Sequence, residues 1–405
     1  MALVTELELP AFDYTDPSLR GPRYHETMGS LRSRGWLAAS ELGYFVLDRE
    51  GVEFFLKSRK LSFPGMQVAE VFGVTDGPLY DEISRNILNI DGDDHRRLRN
   101  LVNPALTPRA VERYRPAMRE YLADLVGAVA AAGECEFVEA IAKPYPSLVI
   151  ATVMGAPLSD APRLHHWSTW IQRQFSADLA DKRDAIEQAV VEFYDYVGAL
   201  LERRRDDPSD DLISKLLLAE FEGDRLSEVE LVNLVLNVLI GGVDTSQSQL
   251  THAVRLLAEH PEQWELLARD PSLAARAADE ALRFEPIVPF TARIVVEELD
   301  YRDVTFPVGS IVMVSAFDAN RDPVAYGDSG EPDRFDITAE RDRVKPMTFG
   351  AGIHYCLGAN LARAELQEAL AFLPSAMPGL RLDGEPVYDS INGIYGLERL
   401  PVRWG

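Results

Sequence analysis

The sequence predicts a mainly α-helical protein with a minor β part, organised as one domain over residues 1–405. Three observations support this. Between Thr107 and about Arg283 apolar residues recur with the helical period, broken at the turn signals "AAGECE", "MGAPLSDAP", "RRRDDPSDDL" and "FEGDR". Short β-rich runs flank that stretch: two pieces within "GWLAASELGYFVLDREGVEFFLK", then "ARIVVEEL", "VTFP" and "GSIVMVSAF" after Pro286. No internal repeat, low-complexity segment or separating linker divides the chain.

Taken in order, the N-terminal part mixes strand-like runs with turns, and the first β pieces lead into a helical pattern. The longest helix is expected from Ser227 to about Glu259. Ser227 and Glu230 have the spacing of a capping box, and His260-Pro261 stops the helix. At 1.5 Å per residue it spans roughly 48 Å. Its first half is apolar on nearly every face, so it must be buried. Gly241-Gly242 sits in its middle, where each glycine costs about 1 kcal/mol relative to alanine. Asp244 and Thr245 follow at once. A polar pair beside two glycines predicts a local opening of the helix; the plainer reading is a close packing contact on the glycines. The segment "ANRDPVAYGDSGEPDRFDITAERD" is too rich in Pro, Gly and Asp for anything but loop. A last helix is expected after Cys356, and "YGLERLPVRW" reads as one closing strand.

Composition excludes several classes of function. A 46% hydrophobic, 26% charged chain is an ordinary globular one. The N-terminus has neither the basic start nor the apolar core of a secretory signal. The run Leu234–Val243 is shorter than the roughly 20 residues that cross a bilayer, so no membrane association is expected. Two cysteines make no disulfide framework, which fits a reducing cytoplasm. A net charge of -24 argues against nucleic acid as a partner. One stretch opposes that balance: His95–Arg115 holds six arginines and a single acid, Glu112, a local positive surface or simply a solvated helix face.

The chemistry gathers at "FGAGIHYCLG", Phe349 to Gly358. A lone cysteine is by default a small buried hydrophobe, the reading for Cys135. Cys356 instead stands behind a glycine loop and before a helix, where backbone amides and the helix dipole favour a thiolate. Gly350 and Gly352 permit a tight loop, and Gly358 lets a flat body approach. Cysteine clusters are excluded by count. A single thiolate as the sole protein ligand suits an iron porphyrin best.

The pattern Phe349-x-x-Gly352-x-His354-x-Cys356-x-Gly358 resembles the haem-ligand signature of cytochrome P-450 monooxygenases, whose iron is held by a Cys thiolate. His354 stands where the family often has arginine. Other elements follow in the family's order. Glu280-Ala281-Leu282-Arg283 resembles its E-x-x-R element, with Arg334 in "EPDRF" as the implied partner. "GGVDTS" is similar to its oxygen-binding kink, and "DGDDHRRLRN" to the helix that offers His95 and Arg99 to a haem propionate. Arg293 matches the arginine for the other propionate.

The resemblance implies the family's fold, a long central helix over haem b with small antiparallel sheets, and Cys356 as axial iron ligand. It implies a monooxygenase in which Thr245 and Asp244 manage protons, inserting one atom of O2 into a hydrophobic molecule such as a terpenoid, steroid, polyketide or aromatic. Electrons would come from a ferredoxin or flavodoxin with an NAD(P)H-dependent reductase, docked on Arg96, Arg97, Arg109 and Arg113. A monomer is expected. Substrate contacts would come from Phe72, Leu79, Ile87, Phe175, Leu239, Val243, Val288, Phe290, Ile394 and Tyr395, each of which could equally be core. Phe63, Met66, Val71, Trp167, Trp170 and Ile287 lie in the same stretches, with Arg85 and Arg173 as possible anchors. Rival readings are a peroxide-driven or rearranging haem-thiolate enzyme and a non-catalytic haem sensor or carrier.

Overall fold

The computed structural model describes residues 1–176, 178–221, 223–327, 330–341 and 344–405. Glu222 in "FEGDR" and Asp328, Ser329 and Asp342 in the long loop lie outside the described residues. Chain contacts group into two compact units, each built from separate stretches of sequence.

The first unit holds residues 1–64, 279–356 and 387–397. Its main sheet has five strands in the order Leu37–Ser40, Gly43–Val46, Ile311–Ser315, Phe290–Val295 and Leu61–Ser62. The expected β runs are therefore strands, brought together from distant parts of the chain. Gly43–Val46 pairs in parallel with Ile311–Ser315, and a Cβ at Gly43 would lie 2.3 Å from the Ile311 carbonyl. Only glycine permits that approach. Side chains alternate across the sheet as a pleat requires. Val46, Val312 and Val314 face a core with Val52 and Phe55 of the helix Arg49–Lys57. Phe45 and Met313 face an aromatic core of Phe12, Tyr24, Phe290, Phe317 and Tyr395.

The second unit holds residues 65–278, 357–386 and 398–405 and is chiefly helical. Its axis is the expected central helix, in two pieces: Glu228–Gly242 and Asp244–Glu259. The Ser227–Glu230 capping box starts it, with the Glu230 carboxylate accepting from the Ser227 N–H at 2.8 Å. Pro144–Met154, Ala161–Gln172, Leu179–Asp206 and Ala359–Ala376 pack around it. By length and composition this helix could cross a membrane, but 61% of its most apolar window is buried inside the protein. The closing strand is not one piece. Leu397–Arg399 and Pro401–Arg403 belong to different sheets, because Leu400 turns its N–H to the Glu136 carboxylate instead of a strand neighbour. A short hairpin, Glu220–Phe221 with Asp224–Arg225, also stands where only a turn was expected.

Candidate functional site

In the first unit the cysteine loop is built from two one-turn helices, Met347–Phe349 and Gly352–His354. Gly350 (φ 69°) and Gly352 (φ 73°) supply the left-handed turns. A Cβ on Gly352 would also lie 2.5 Å from the Leu56 carbonyl, so any side chain there would be strained twice. The Cys356 N–H closes the loop on the Phe349 carbonyl at 2.9 Å. The helix after it begins at Ala359, three residues beyond Cys356.

Beneath that loop lies a buried polar network. Arg283 donates to both Glu280 oxygens at 2.7 and 2.9 Å. Its remaining N–H groups reach the carbonyls of Asn320, Pro332 and Arg334 at 2.7–3.0 Å. The expected role of Arg334 is corrected here. Its side chain is exposed, because the turn after Pro332 points it at solvent, and only its carbonyl joins the network. The second guanidinium on Glu280 is Arg341, 8% exposed. Asn320 carries the network upward. Its side chain accepts from the Met347 N–H at 2.6 Å and donates to the Thr348 hydroxyl at 3.0 Å, which in turn donates to the Leu282 carbonyl. The E-x-x-R helix and the cysteine loop are thus one hydrogen-bonded body. Asn320, Thr348 and Arg341 were not singled out in the sequence; a polar residue at the start of a Pro- and Asp-rich loop carries no periodic signal. Arg293, 5% exposed, lies on the strand Phe290–Val295 of the same unit. His354 is half-buried.

In the second unit, His95 and Arg99 are one helical turn apart on Gly92–Val102, with His95 buried. Asp244 and Thr245 stand where the central helix breaks. The Thr245 hydroxyl donates back to the Gly241 carbonyl. The Asp244 carboxylate accepts from Ser168 at 2.6 Å and Thr169 at 3.1 Å, both on Ala161–Gln172. Burial raises its pKa, opposed by the Ser168 hydroxyl and then by His165. The two glycines divide the two readings of the motif. A Cβ on Gly242 would lie 2.5 Å from Ile150 Cδ1, a packing contact, whereas Gly241 faces open space. Glu365, on Ala359–Ala376, was not anticipated. It is fully buried, and desolvation pushes its pKa to about 8 against the lowering effect of the Ser246 hydroxyl, next in sequence to Thr245.

The residues fit the haem that the motif implies. Cβ positions at Gly350, Gly358 and Gly241 meet nothing within 4 Å. Among the described residues no group of three or more His, Cys, Asp or Glu side chains could hold a bare ion, which suits a single-thiolate ligand to a preformed macrocycle. Cys135 lies on a strand and its thiol is pushed up to about 11 by burial and Glu136, so it is no rival.

Of the apolar candidates, Leu79, Leu239, Val243 and Tyr395 have no accessible surface. Tyr395 and Phe290 are part of the aromatic core, and the Tyr395 hydroxyl accepts from the Gly21 N–H at 2.8 Å. Protein surrounds these side chains, so they are core and offer a guest no face. Ile87 is 7% exposed, while Phe72, Phe175, Val288 and Ile394 are half-buried. The arginine surface also shrinks. Arg97 pairs with Glu230 and Asp224, Arg113 with Asp210, and exposed Arg96 with Asp93 at 3.5 Å, while Arg109 is exposed.

A family model described as Cytochrome P450 matches residues 68–269 and 272–373. The chain is 33% identical over 402 residues to luteothin monooxygenase of Streptomyces thioluteus, covering 98% of this chain and 97% of that protein. It is 33% identical over 329 residues to the polyketide biosynthesis cytochrome P450 PksS of Bacillus subtilis (strain 168), covering 80% and 78% respectively. Among solved structures, CalO2 superposes with a TM-score of 0.90 at 32% identity, over 98% of this chain and 99% of that one.

Proposed function

The chain belongs to the cytochrome P450 family and is a haem b monooxygenase; from that premise we propose that its substrate is a hydrophobic small molecule of polyketide, steroid, terpenoid or aromatic type. The substrate class is supported by the half-buried apolar residues Phe72, Phe175, Val288 and Ile394 and by one relative named for polyketide biosynthesis. The haem, when bound through Cys356, supplies the oxygen activation. Arg99, His95, Arg293 and His354 would neutralise its two carboxylates, which are costly when buried unpaired. Electrons come from a separate ferredoxin or flavodoxin, docked on a surface that includes Arg96 and Arg109. Neither cysteine is in a disulfide, in keeping with a reducing cytoplasm.

Asp244-Thr245 at the helix break is the observation that carries the catalytic reading. The Thr245 hydroxyl, held on the Gly241 carbonyl, can release that bond and pass a proton. Asp244 can take up and return a proton, because its raised pKa brings ionisation nearer neutrality. The test begins with ferric protein titrated against polyketides, steroids, terpenoids and aromatic acids, followed in the Soret band. With the compound that shifts it most, Thr245→Ala should consume NADH at a rate near that of the parent but release peroxide in place of product. Unchanged product per NADH in that variant would remove Thr245 from the proton path.

A further inference from the structure

In the first unit the turn 389–394 is pinned by a helix from the opposite end of the chain. That helix, Gly21–Arg34, opens on Gly21-Pro22, and the Arg20 side chain does not cap it. A helix start leaves N–H groups without a partner inside the helix. The Tyr395 hydroxyl supplies one, accepting from the buried Gly21 N–H at 2.8 Å across 374 residues of sequence. Beside it, Arg20 Nη1 donates to the Tyr388 carbonyl at 2.9 Å. The Tyr388 and Tyr395 rings stack with centroids 6.1 Å apart, and a Cβ on Gly21 would lie 2.9 Å from Tyr388 Cε2. Gly21 also has a φ of 51°, so a side chain there is disfavoured on both counts.

The turn is fixed on its other sides as well. The Asp389 N–H closes it on the Gly396 carbonyl at 2.9 Å. Ile391 is buried in the aromatic core with Tyr24 and Phe290. The Tyr395 N–H donates to the Ile287 carbonyl at 2.7 Å, which ties the turn to the segment that follows the E-x-x-R helix. The residues next to that bond are Val288 and Ile394. Val288 is half-buried between buried Ile287 and Pro289, and Ile394 is half-buried beside buried Tyr395. Both are branched at Cβ and therefore stiff at χ1. Their neighbours are spent on packing, while Val288 and Ile394 keep an uncovered face in the unit that carries Cys356.

We propose that Tyr395 is a positioning residue for substrate selectivity: its hydroxyl, seated on Gly21 and backed by Tyr388, holds Ile394 beside Val288 as a fixed aliphatic wall of the ligand site. This rests on the proposed reading of Val288 and Ile394 as substrate contacts. The buried Tyr395 ring touches no guest and acts through its neighbour. A wall without polar side chains and with little rotamer freedom discriminates by shape, and in a hydrophobic pocket one methylene is worth roughly tenfold or more. Loosening the wall should therefore change the fit of bulky apolar guests and leave small ones alone.

Tyr395→Phe tests this, because it removes the hydroxyl and keeps the ring. Haem-loaded wild type, Tyr395→Phe, Ile394→Ala and the double variant are titrated in the Soret band with imidazole and with clotrimazole, the same ring carrying three aryl groups. Imidazole reports the iron alone. Tyr395→Phe should raise the clotrimazole Kd by up to about fivefold, the worth of one hydrogen bond, and leave the imidazole Kd unchanged. Ile394→Ala should raise the clotrimazole Kd at least as much, and the double variant by less than the product of the two factors. Thermal midpoints read the hydrogen bond itself, and Tyr395→Phe should lose roughly 1–3 °C. A clotrimazole Kd unmoved in Tyr395→Phe, or an imidazole Kd that rises in proportion, would overturn the positioning role. Factors that simply multiply in the double variant would overturn it too, since Tyr395 would then not act through Ile394. Ile394→Ala without effect on clotrimazole would overturn the contact reading beneath, while the midpoints still judge the hydrogen bond. A Soret band unmoved by imidazole in wild type would overturn the haem reading itself.

Discussion

The buried acids of this chain are handled in two opposite ways. In the first, Glu280 is held between the guanidinium groups of Arg283 and Arg341, with every remaining Arg283 donor spent on a carbonyl. In the second, Glu82 and Glu365 are as deeply buried but have only neutral side chains against them among the described residues, and their pKa values rise to about 7 and about 8. The first arrangement suits a scaffold, since a fully paired network stays rigid and holds the cysteine loop through Asn320 and Thr348. The second suits a part that must change, since its state depends on a proton.

The largest test of that contrast removes a cation. Arg341→Leu leaves Glu280 with one guanidinium, and breaking a buried pair typically costs about 3–5 kcal/mol. Urea unfolding should show that loss, with a matching fall in the fraction of protein that carries a Soret band. A midpoint within experimental error of wild type would mean that Arg283 alone suffices.

Next comes the proton. Glu365 binds its proton more tightly folded than unfolded, so it lowers stability progressively as pH rises from about 4.5 to about 8. Each tenfold gain in proton affinity on folding corresponds to roughly 1.4 kcal/mol. Glu365→Gln should therefore be more stable than wild type at pH 8.5 by a few kcal/mol and nearly equal at pH 4.5. A pH-independent difference would contradict a neutral Glu365.

The smallest effect separates the paired glycines within the second unit. Gly242→Ala drives a methyl into Ile150 and should cost about 1–3 kcal/mol, relieved by Ile150→Val. Gly241→Ala meets nothing and should be neutral or gain up to about 1 kcal/mol from helix propensity. Equal thermal midpoints for the two variants would show that the Ile150 contact is not what requires glycine.

Much of this was legible in advance. The capping box at Ser227, the break beside Asp244-Thr245, the cysteine loop and the E-x-x-R pair are short-range patterns, and each local rule held in the structure. The substrate candidates were not legible in the same way. Apolar residues such as Leu239 and Tyr395 look alike in sequence whether they line a cavity or fill a core. The hairpin at Glu220 and the division of the last strand depend on which distant backbone offers a partner, as Glu136 does for Leu400.

By itself the sequence determined the helical class and the position of the thiol behind left-handed glycines, because these depend on neighbours within a few residues. Only the tertiary structure decided that Arg341 and not the Arg334 side chain completes the Glu280 network, and that Gly242 but not Gly241 is packed. It also decided that Glu82 and Glu365 are buried against neutral groups alone. The charge state of a buried group depends on what the fold brings within a few ångströms of it, and those contacts come from residues dozens to hundreds of positions away.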